Sequence, residues 1–256
     1  MPYFAIENLT VAFGGLLAVN GLSFSIDKGE ILGLIGPNGA GKSTVFNAIN
    51  HFVKSIAGSI TFEGVETLKL PDHKIISLGI TRTFQNIALF KSCTVLENLL
   101  IGHHCSTKVG ILSGILLSPR ARREEKKARS RARELLELLG IAEQENVLPE
   151  GLPYGVQKKV ELARALMTEP RLILLDEPVA GMNKHETEEL SEVILQIRDA
   201  LGMTILMVEH DMSMVMRICN RIVVMDYGRK IAEGKPDEIK GNARVIEAYL
   251  GEVEIA

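Results

Sequence analysis

The feature that most constrains the fold of this chain is a glycine-rich motif, G-P-N-G-A-G-K-S-T, directly after the apolar run Ile31–Ile35. It fits the spacing G-x-x-x-x-G-K-[ST] of a phosphate-binding loop. The glycines allow successive N–H groups to point at a phosphate, and a helix beginning at Lys42 adds the positive end of its dipole. An incidental glycine-rich turn is disfavoured by the strand-like run before the motif and the helix-compatible residues after it. The residues predicted to hold the nucleotide are Gly36, Pro37, Asn38, Gly39, Ala40, Gly41, Lys42, Ser43 and Thr44.

Two side chains of this loop have predicted chemical roles. Lys42 reaches the β- and γ-phosphates as a point charge and assists the reaction, and the hydroxyl of Ser43 ligates Mg²⁺. The motif therefore predicts a magnesium-bound nucleoside triphosphate.

A pair of carboxylates, Asp176 and Glu177, follows four apolar residues at the expected C-terminal end of a buried strand. Ligands of open α/β sheets bind at that end of the strands. Asp176 is predicted to hold the Mg²⁺ shell opposite Ser43, and Glu177 to act as general base for the water that attacks the γ-phosphate. The alternative, two solvated carboxylates at a strand end, is disfavoured by the phosphate loop in the same chain.

Two further residues are weaker candidates. His210 follows the next apolar strand and is placed to hydrogen-bond the γ-phosphate and orient the same water, although such a histidine is more often a surface or capping residue. Gln85 lies where the core gives way to a helical region, and its amide is predicted to contact Mg²⁺ and its water. By itself a loop glutamine would carry no weight.

The remaining pattern predicts an α/β protein. Apolar runs at residues 172–175 and 204–208 are typical of parallel strands buried on both faces, and the periodicity of residues 184–201 predicts a helix covering them. Alternation at residues 4–11 and 22–26 predicts two antiparallel strands, joined by a loop containing Gly14, Gly15 and Gly21. From residue 95 to about residue 151 the pattern is helical.

Composition excludes several classes of protein. No apolar run approaches the roughly 20 residues of a membrane-spanning helix, and the first residues lack the pattern of a secretory signal. Three widely spaced cysteines indicate reduced thiols in the cytosol rather than disulfides or zinc. The net charge of −3 excludes a globally basic nucleic-acid binder and says nothing about local patches. No nucleic-acid partner is expected.

The order of phosphate loop, glutamine, glycine-bearing helix start, Asp-Glu-Pro and histidine resembles the nucleotide-binding subunits of ATP-binding cassette (ABC) transporters, over essentially the whole chain. The resemblance implies ATP as the nucleotide, and a P-loop NTPase fold with a RecA-like mixed-sheet core, an antiparallel β lobe and a helical subdomain. It implies a single domain over residues 1–256, in which residues 1–94 and 158–256 form the core and β lobe. Residues from about 95 to 157 are expected to form the helical subdomain with the signature motif.

The family signature L-S-G-G-Q is altered in this chain. At positions 152–156 stands L-P-Y-G-V, so that the serine, the first glycine and the glutamine are replaced. In the family this segment caps the γ-phosphate bound by the partner subunit, which implies that Tyr154 and Gly155 contact that nucleotide. What remains of the motif is Gly155 and the dipole of the helix that follows.

The family also assigns roles to two other positions. Phe13 is expected to stack on adenine, although a packing residue at a strand end is nearly as good an interpretation. Asn183 stands where an aspartate is usual in the loop that crosses the dimer interface. The amide retains hydrogen bonding and loses the charge, so altered coupling across that interface is expected.

Within the family, the forms T-R-T-F-Q-N, Pro-Tyr-Gly and V-E-H-D-M are similar to those of branched-chain amino acid importer ATPases. This implies an ATPase at the cytoplasmic face of the inner or plasma membrane, peripheral to it. Its expected partners are a second ABC ATPase subunit, identical or different, integral membrane permease subunits and, indirectly, a substrate-binding protein. Urea or amide import, lipopolysaccharide export, a soluble non-transport ABC ATPase and a regulatory module with weak turnover remain alternatives.

A basic stretch at residues 119–137 has three interpretations. A solvated helix face with i,i+4 pairs such as Glu125 and Arg129 is favoured. Contact with anionic lipid headgroups beside a membrane partner is the second. Nucleic-acid binding is the third, since no aromatic residues are interleaved with the charges.

Overall fold

The computed structural model describes residues 2–83, 87–103 and 119–250. Their strands are β1 Phe4–Phe13, β2 Leu16–Ile26, β3 Ile31–Ile35, β4 Ala57–Phe62, β5 Val65–Glu66, β6 Ile80–Arg82, β7 Leu172–Asp176, β8 Thr204–Val208, β9 Arg221–Asp226 and β10 Arg229–Gly234. Their helices are α1 Lys42–Ile49, α2 Lys74–Ser77, α3 Val95–His103, α4 Pro119–Leu138, α5 Tyr154–Leu166, α6 Lys184–Leu201, α7 Met212–Ile218, α8 Pro236–Lys240 and α9 Ala243–Leu250. Short 3₁₀ turns lie at Thr67–Lys69, Ala142–Gln144 and Pro149–Gly151.

A six-stranded mixed sheet lies at the centre, in the order β10-β9-β3-β8-β7-β6. Its strands β3, β7 and β8 are buried at every residue, as continuous apolar runs in a doubly covered parallel sheet must be. β3 pairs in parallel with β8 and β9, and β7 pairs in parallel with β6 and β8, whereas β10 joins the edge antiparallel. The predicted mixed α/β core is therefore confirmed.

The predicted antiparallel lobe is a second sheet, in the order β2-β1-β4-β5. The prediction that Gly21 belongs to the loop between the first two strands was wrong, because Gly21 lies inside β2 and only Gly14 and Gly15 form the turn. Gly21 has a φ of 66°, and the register between β1 and β2 shifts beside it. A glycine with positive φ accommodates a β-bulge, so the strand continues where the sequence suggests a break.

Apolar residues pack on both faces of the central sheet. One cluster joins Ile173 and Leu175 of β7 with Leu135 and Leu136 of α4. The other joins the alternate residues Leu172 and Leu174 with the antiparallel lobe and α1. Because successive residues of a strand point to opposite faces, β7 contributes side chains to both clusters. The helical region thus shares its core with one face of the sheet.

The helical elements follow the sequence pattern closely. α6 has the predicted bounds, and Gly140, with a φ of 68°, follows the predicted apolar face of α4. On α4 the guanidinium of Arg129 donates to Glu125 at 3.0 and 3.1 Å, which is the predicted i,i+4 pair. Among the described residues, no helix combines the length and apolar character that crossing a bilayer requires.

Candidate active site

The phosphate loop is pressed between two other segments, which explains its glycines. A Cβ atom at Gly36 would lie 2.1 Å from the carbonyl oxygen of Met225, and one at Gly41 would lie 2.4 Å from that of Ala18. Gly36, Gly39 and Gly41 have φ values of 150°, 77° and 98°, which L side chains rarely adopt. Glycine is therefore required by space and by backbone conformation at Gly36 and Gly41, and by backbone conformation alone at Gly39.

Lys42, the first residue of α1, is buried inside this loop. Its Nζ donates to the carbonyl oxygens of Gly36 at 2.6 Å and Pro37 at 2.8 Å. Gly41 caps α1 without a side-chain hydrogen bond, so no side chain competes for the N–H groups of the first turn at that cap. The ammonium and the helix terminus together make the loop electropositive, as binding of a polyphosphate requires.

The three segments with predicted chemistry lie at one edge of the central sheet. In the parallel register, Leu34 lies beside Val208, and Val208 lies beside Asp176. The phosphate loop begins two residues after Leu34, and Glu177 and His210 follow the other two strands. The structure therefore brings the loop, Asp176, Glu177 and His210 to the carboxyl ends of neighbouring strands, where α/β sheets bind ligands.

Asp176 is held by an arginine to which the sequence analysis assigned no role. The guanidinium of Arg82, on β6, donates to Oδ2 of Asp176 at 2.6 Å and to Oδ1 of Asn47 at 2.8 Å. The side chains of the ion pair are 11% and 9% exposed. The sequence around Arg82, Ile80-Thr81-Arg82-Thr83, contained no signal for this ion pair. This pair orients one carboxylate oxygen away from solvent and fixes the carboxylate at the strand end.

Glu177 occupies a strained backbone conformation beside His210. Its φ is 46°, in the left-handed region that is uncommon for residues other than glycine, and its N–H donates to the carbonyl oxygen of Val208 at 2.9 Å. Nδ1 of His210 lies 3.9 Å from Oε2 of Glu177. Strain of this kind collects at functional sites, where surrounding contacts hold it in place.

Glu209, directly before His210, is the other functional candidate that the sequence analysis missed. Its side chain is fully buried and accepts hydrogen bonds from three backbone N–H groups. The signal in the sequence was an acidic residue directly after a buried strand, between Val208 and His210.

The residues implied by the family resemblance are distributed around this edge. Phe13 ends β1, is about half exposed, and lies on the hairpin whose Ala18 covers Gly41. The hydroxyl of Tyr154, at the start of α5, donates to the carbonyl oxygen of Ala180 at 3.1 Å. Asn183 is the N-cap of α6, in a reciprocal capping box with Glu186. Gln85 lies outside the described residues.

Gly155 follows Tyr154 in the first turn of α5. A Cβ atom at Gly155 would lie 3.3 Å from Oε1 of Glu186, so the start of α5 packs on the segment that leads into α6. The N-cap residue Pro153 forms no side-chain hydrogen bond and is exposed. The N-terminus of α5 is therefore open to a partner.

The oxygen donors near the loop fit Mg²⁺ bound together with a nucleotide. Ser43 is exposed at the start of α1, and Asp176 supplies a carboxylate at the adjoining strand end. No cluster of three or more metal-ligating His, Cys, Asp or Glu side chains occurs within the described residues. Magnesium in phosphate-transfer sites takes one or two protein oxygens, with phosphate and water oxygens as the other ligands, so two donors are sufficient.

Comparisons with known proteins agree with this arrangement. Residues 19–180 match the family model of ABC transporters, and residues 229–255 match a model of branched-chain amino acid ATP-binding cassette transporters. The chain is 46% identical, over 98% of both chains, to the high-affinity branched-chain amino acid transport ATP-binding protein LivG of Salmonella typhimurium. It is similar to the ADP conformation of MJ1267, an ATP-binding cassette of an ABC transporter, with a TM-score of 0.86, 34% identity and coverage of 98% and 99% of the two chains. A dimeric bacterial ABC transporter cassette, MJ0796, gives a TM-score of 0.76 at 26% identity, with coverage of 91% and 98%.

Proposed function

The chain belongs to the ABC transporter family and is an ATP-binding subunit with ATPase activity, and from this premise we propose that it powers the import of branched-chain amino acids through a separate membrane permease. The observation that carries the proposal is the meeting of a lysine-bearing phosphate loop with Asp176, Glu177 and His210 at one sheet edge. Identity of 46% to a transport ATP-binding protein over nearly the whole chain supports the choice of substrate.

Within this proposal the phosphate loop binds the β- and γ-phosphates of ATP. Backbone N–H groups of residues 38–44 donate to the phosphates, the ammonium of Lys42 offsets their charge, and Phe13 stacks on the adenine. Ser43, Asp176 and Gln85 hold Mg²⁺, which when bound supplies charge stabilisation to the transferring phosphate. For Lys42 this requires its Nζ to exchange the carbonyl oxygens of Gly36 and Pro37 for phosphate oxygens.

Hydrolysis requires a water that is activated and aligned. The carboxylate of Glu177 accepts the proton of the attacking water as general base, and His210 orients that water and the γ-phosphate. Their side chains are 3.9 Å apart at the closest atoms, so one water molecule is within reach of both.

We also propose that the chain is divided into a catalytic core and a helical subdomain, as the sequence predicts. Residues 1–94 and 158–256 act as the catalytic core with its β lobe, and residues from about 95 to 157 as the helical subdomain. Val147 and Leu148 of the helical subdomain, and Phe90 of the core segment just before it, are large apolar residues with exposed side chains. The start of the subdomain adjoins the segment of Val147 through the hydrogen bond from Val95 N to Val147 O. An exposed apolar surface of this kind suits a permease partner at the cytoplasmic face of the membrane.

The proposal is tested by reconstitution with the permease that co-purifies with this chain. In liposomes with an appropriate substrate-binding protein, MgATP should drive uptake of leucine, isoleucine and valine, and these amino acids should stimulate ATP hydrolysis. Lys42→Ala should abolish nucleotide binding and uptake. Lys28→Ala, a change of an exposed lysine before β3 at the opposite edge of the sheet, is the matched control and should retain both.

The outcome distinguishes the substrate from the general activity. Uptake of urea, short-chain amides or another solute without uptake of branched-chain amino acids would reject the proposed substrate. ATP hydrolysis with no co-purifying membrane protein would instead favour a soluble ABC ATPase.

A further inference from the structure

Glu209 has the most completely buried carboxylate near the active site among the described residues, with a side chain that is 0% exposed. Its Oε1 accepts from the N–H of Val179 at 3.0 Å. Its Oε2 accepts from the N–H groups of His210 at 2.9 Å and Asp211 at 3.1 Å. A buried carboxylate costs several kcal/mol to desolvate unless its oxygens are satisfied, so this network is the condition for its presence.

The donors to this carboxylate come from two separate segments of the chain. Val179 lies two residues after Glu177, in the loop that leads from β7 to α6. His210 and Asp211 connect β8 to α7, and Asp211 is the N-cap of α7. The carboxylate of Glu209 therefore joins the segment of the candidate general base to the segment of the candidate water-orienting histidine.

The join is needed because the backbone at Glu177 is strained. Its φ of 46° costs free energy, and such a conformation persists only where the surroundings hold it. On one side of Glu177 the backbone is fixed by its N–H bond to Val208, and on the other side by the bond from Val179 to Glu209. Both bonds lead to the segment that carries His210.

The carboxyl of Glu209 faces three N–H donors. Its pKa is raised, because burial outweighs the three backbone N–H groups and the nearby His210, which lower it. Hydrogen bonds to a charged acceptor are stronger than neutral ones, and the ionised carboxylate accepts all three with no donor of its own. A neutral amide of the same shape lacks this property.

We propose that Glu209 is a positioning residue for ATP hydrolysis, which fixes the distance between Glu177 and His210 by tying their two segments together. The inference rests on the proposed roles of those two residues in hydrolysis. Glu209 has no contact with the nucleotide in this scheme, and its effect is confined to the reaction step.

The test is Glu209→Gln in the full-length chain. The amide nitrogen must face at least one N–H group that the carboxylate accepted, so one or two of the three bonds are lost with little change of volume. We expect kcat for ATP hydrolysis to fall by roughly 10- to 100-fold. This is the effect of losing one charge-assisted hydrogen bond if its whole free energy is added to the activation free energy of hydrolysis. The KM for ATP and the affinity for a non-hydrolysable ATP analogue by calorimetry should change less than about twofold.

The matched control is Glu30→Gln. Glu30 is a largely buried carboxylate that accepts from Arg221 at 2.9 Å and from the N–H of Asp27 at 2.7 Å, at the opposite edge of the sheet. This change should lower the melting temperature and leave kcat unchanged. A general loss of stability would affect both variants, whereas a positioning role singles out Glu209.

Two results would overturn the inference. One is a Glu209→Gln enzyme with kcat within twofold of the parent, and the other is one with kcat and nucleotide affinity reduced in parallel. Either would show that the hydrogen bonds of Glu209 stabilise the fold without positioning the catalytic groups. If Glu209→Gln does not fold, Glu209→Asp retains the charge and shortens the reach, and a kcat within twofold of the parent together with a lower melting temperature would likewise reject the role. Failure of the parent chain to hydrolyse ATP would contradict the proposed function instead.

Discussion

At the scale of single residues, this site depends on backbone conformations and charges that ordinary surface positions do not have. Glu177 is strained and Lys42 is buried against carbonyl oxygens. Glu169, in the turn before β7, also has positive φ, at 51°, but it is exposed at the opposite edge of the sheet. Positive φ alone therefore does not mark a catalytic residue, and the neighbouring groups decide its role.

The change Glu177→Gln should separate binding from hydrolysis. A glutamine cannot accept the proton of the attacking water, so turnover should fall by at least about a hundredfold, the scale of a general base. Affinity for ATP should be retained, because the phosphate loop is unchanged. Steady-state ATPase assays and calorimetry measure the two quantities.

The control for this change is Glu169→Gln, which alters another acidic residue with positive φ and should leave turnover unchanged. Near-normal turnover in Glu177→Gln would assign the base to another group. Loss of ATP binding in that variant would also contradict the assignment.

The buried thiol of Cys219 should make the free energy of unfolding depend on pH. Burial raises the pKa of its thiol to about 12, and the carboxylates of Glu209 and Glu30 add to the shift. In the unfolded chain the thiol titrates near 8.5, so between about pH 8.5 and 12 the folded state retains a proton that the unfolded state has lost. The free energy of unfolding should therefore fall by about 1.4 kcal/mol per pH unit in that range because of this group.

Urea denaturation of the parent and of Cys219→Ala at several pH values isolates this effect. Other groups titrate at alkaline pH in both proteins, so only the difference between them is informative. The stability of the parent relative to Cys219→Ala should decrease by about 2 kcal/mol between pH 8 and pH 10. A difference that does not vary with pH would show that the thiol is not buried as described.

At the scale of elements, the entry into α6 explains the asparagine at position 183. The side chain of Asn183 accepts from the N–H of Glu186 at 3.1 Å, and the carboxylate of Glu186 accepts from the N–H of Asn183 at 3.0 Å. Asparagine and aspartate are equally good N-cap residues, so the loss of the family's charge leaves the helix start intact. This position therefore has a local structural role in addition to any contact across an interface.

Asn183→Ala should destabilise the protein by about 1 kcal/mol, since it removes the cap of α6. Asn183→Asp should retain the stability of the parent, because aspartate accepts the same hydrogen bond and interacts favourably with the helix dipole. Chemical denaturation of the three proteins gives the comparison. Equal stability of the alanine variant and the parent would show that the capping box contributes nothing measurable.

Elements with strong periodicity were predictable from the sequence, and contacts between distant side chains were not. The apolar runs of β7 and β8 and the periodicity of α6 gave their positions because burial alone determines those patterns. The bulge at Gly21 was missed because it depends on the partner strand. Motif spacing located Lys42, Asp176 and Glu177, whereas Arg82 and Glu209 act through hydrogen bonds across 94 and 30 residues of sequence, for which periodicity contains no signal.

At the scale of the whole molecule, the phosphate loop and the start of α5 are both expected to contact a γ-phosphate, but within one chain they pack against different segments. The phosphate loop packs against Ala18 and Met225. The start of α5, with Tyr154 and Gly155, packs against Ala180 and Glu186. A second copy arranged head to tail, with each loop facing the other copy's α5, would complete two equivalent sites.

ATP should therefore act as part of the dimer interface, and the Glu177→Gln variant makes this measurable because it retains bound ATP. Sedimentation velocity of Glu177→Gln should show monomers without nucleotide and a doubling of mass with MgATP, since a ligand that binds only the paired state shifts the equilibrium toward it. Adding Lys42→Ala to the same variant should abolish the shift because the phosphates lose their main cation, whereas adding Lys28→Ala should preserve it. A stable monomer in saturating MgATP, with binding verified by calorimetry, would contradict the shared site, because the γ-phosphate would then be contacted by one chain alone.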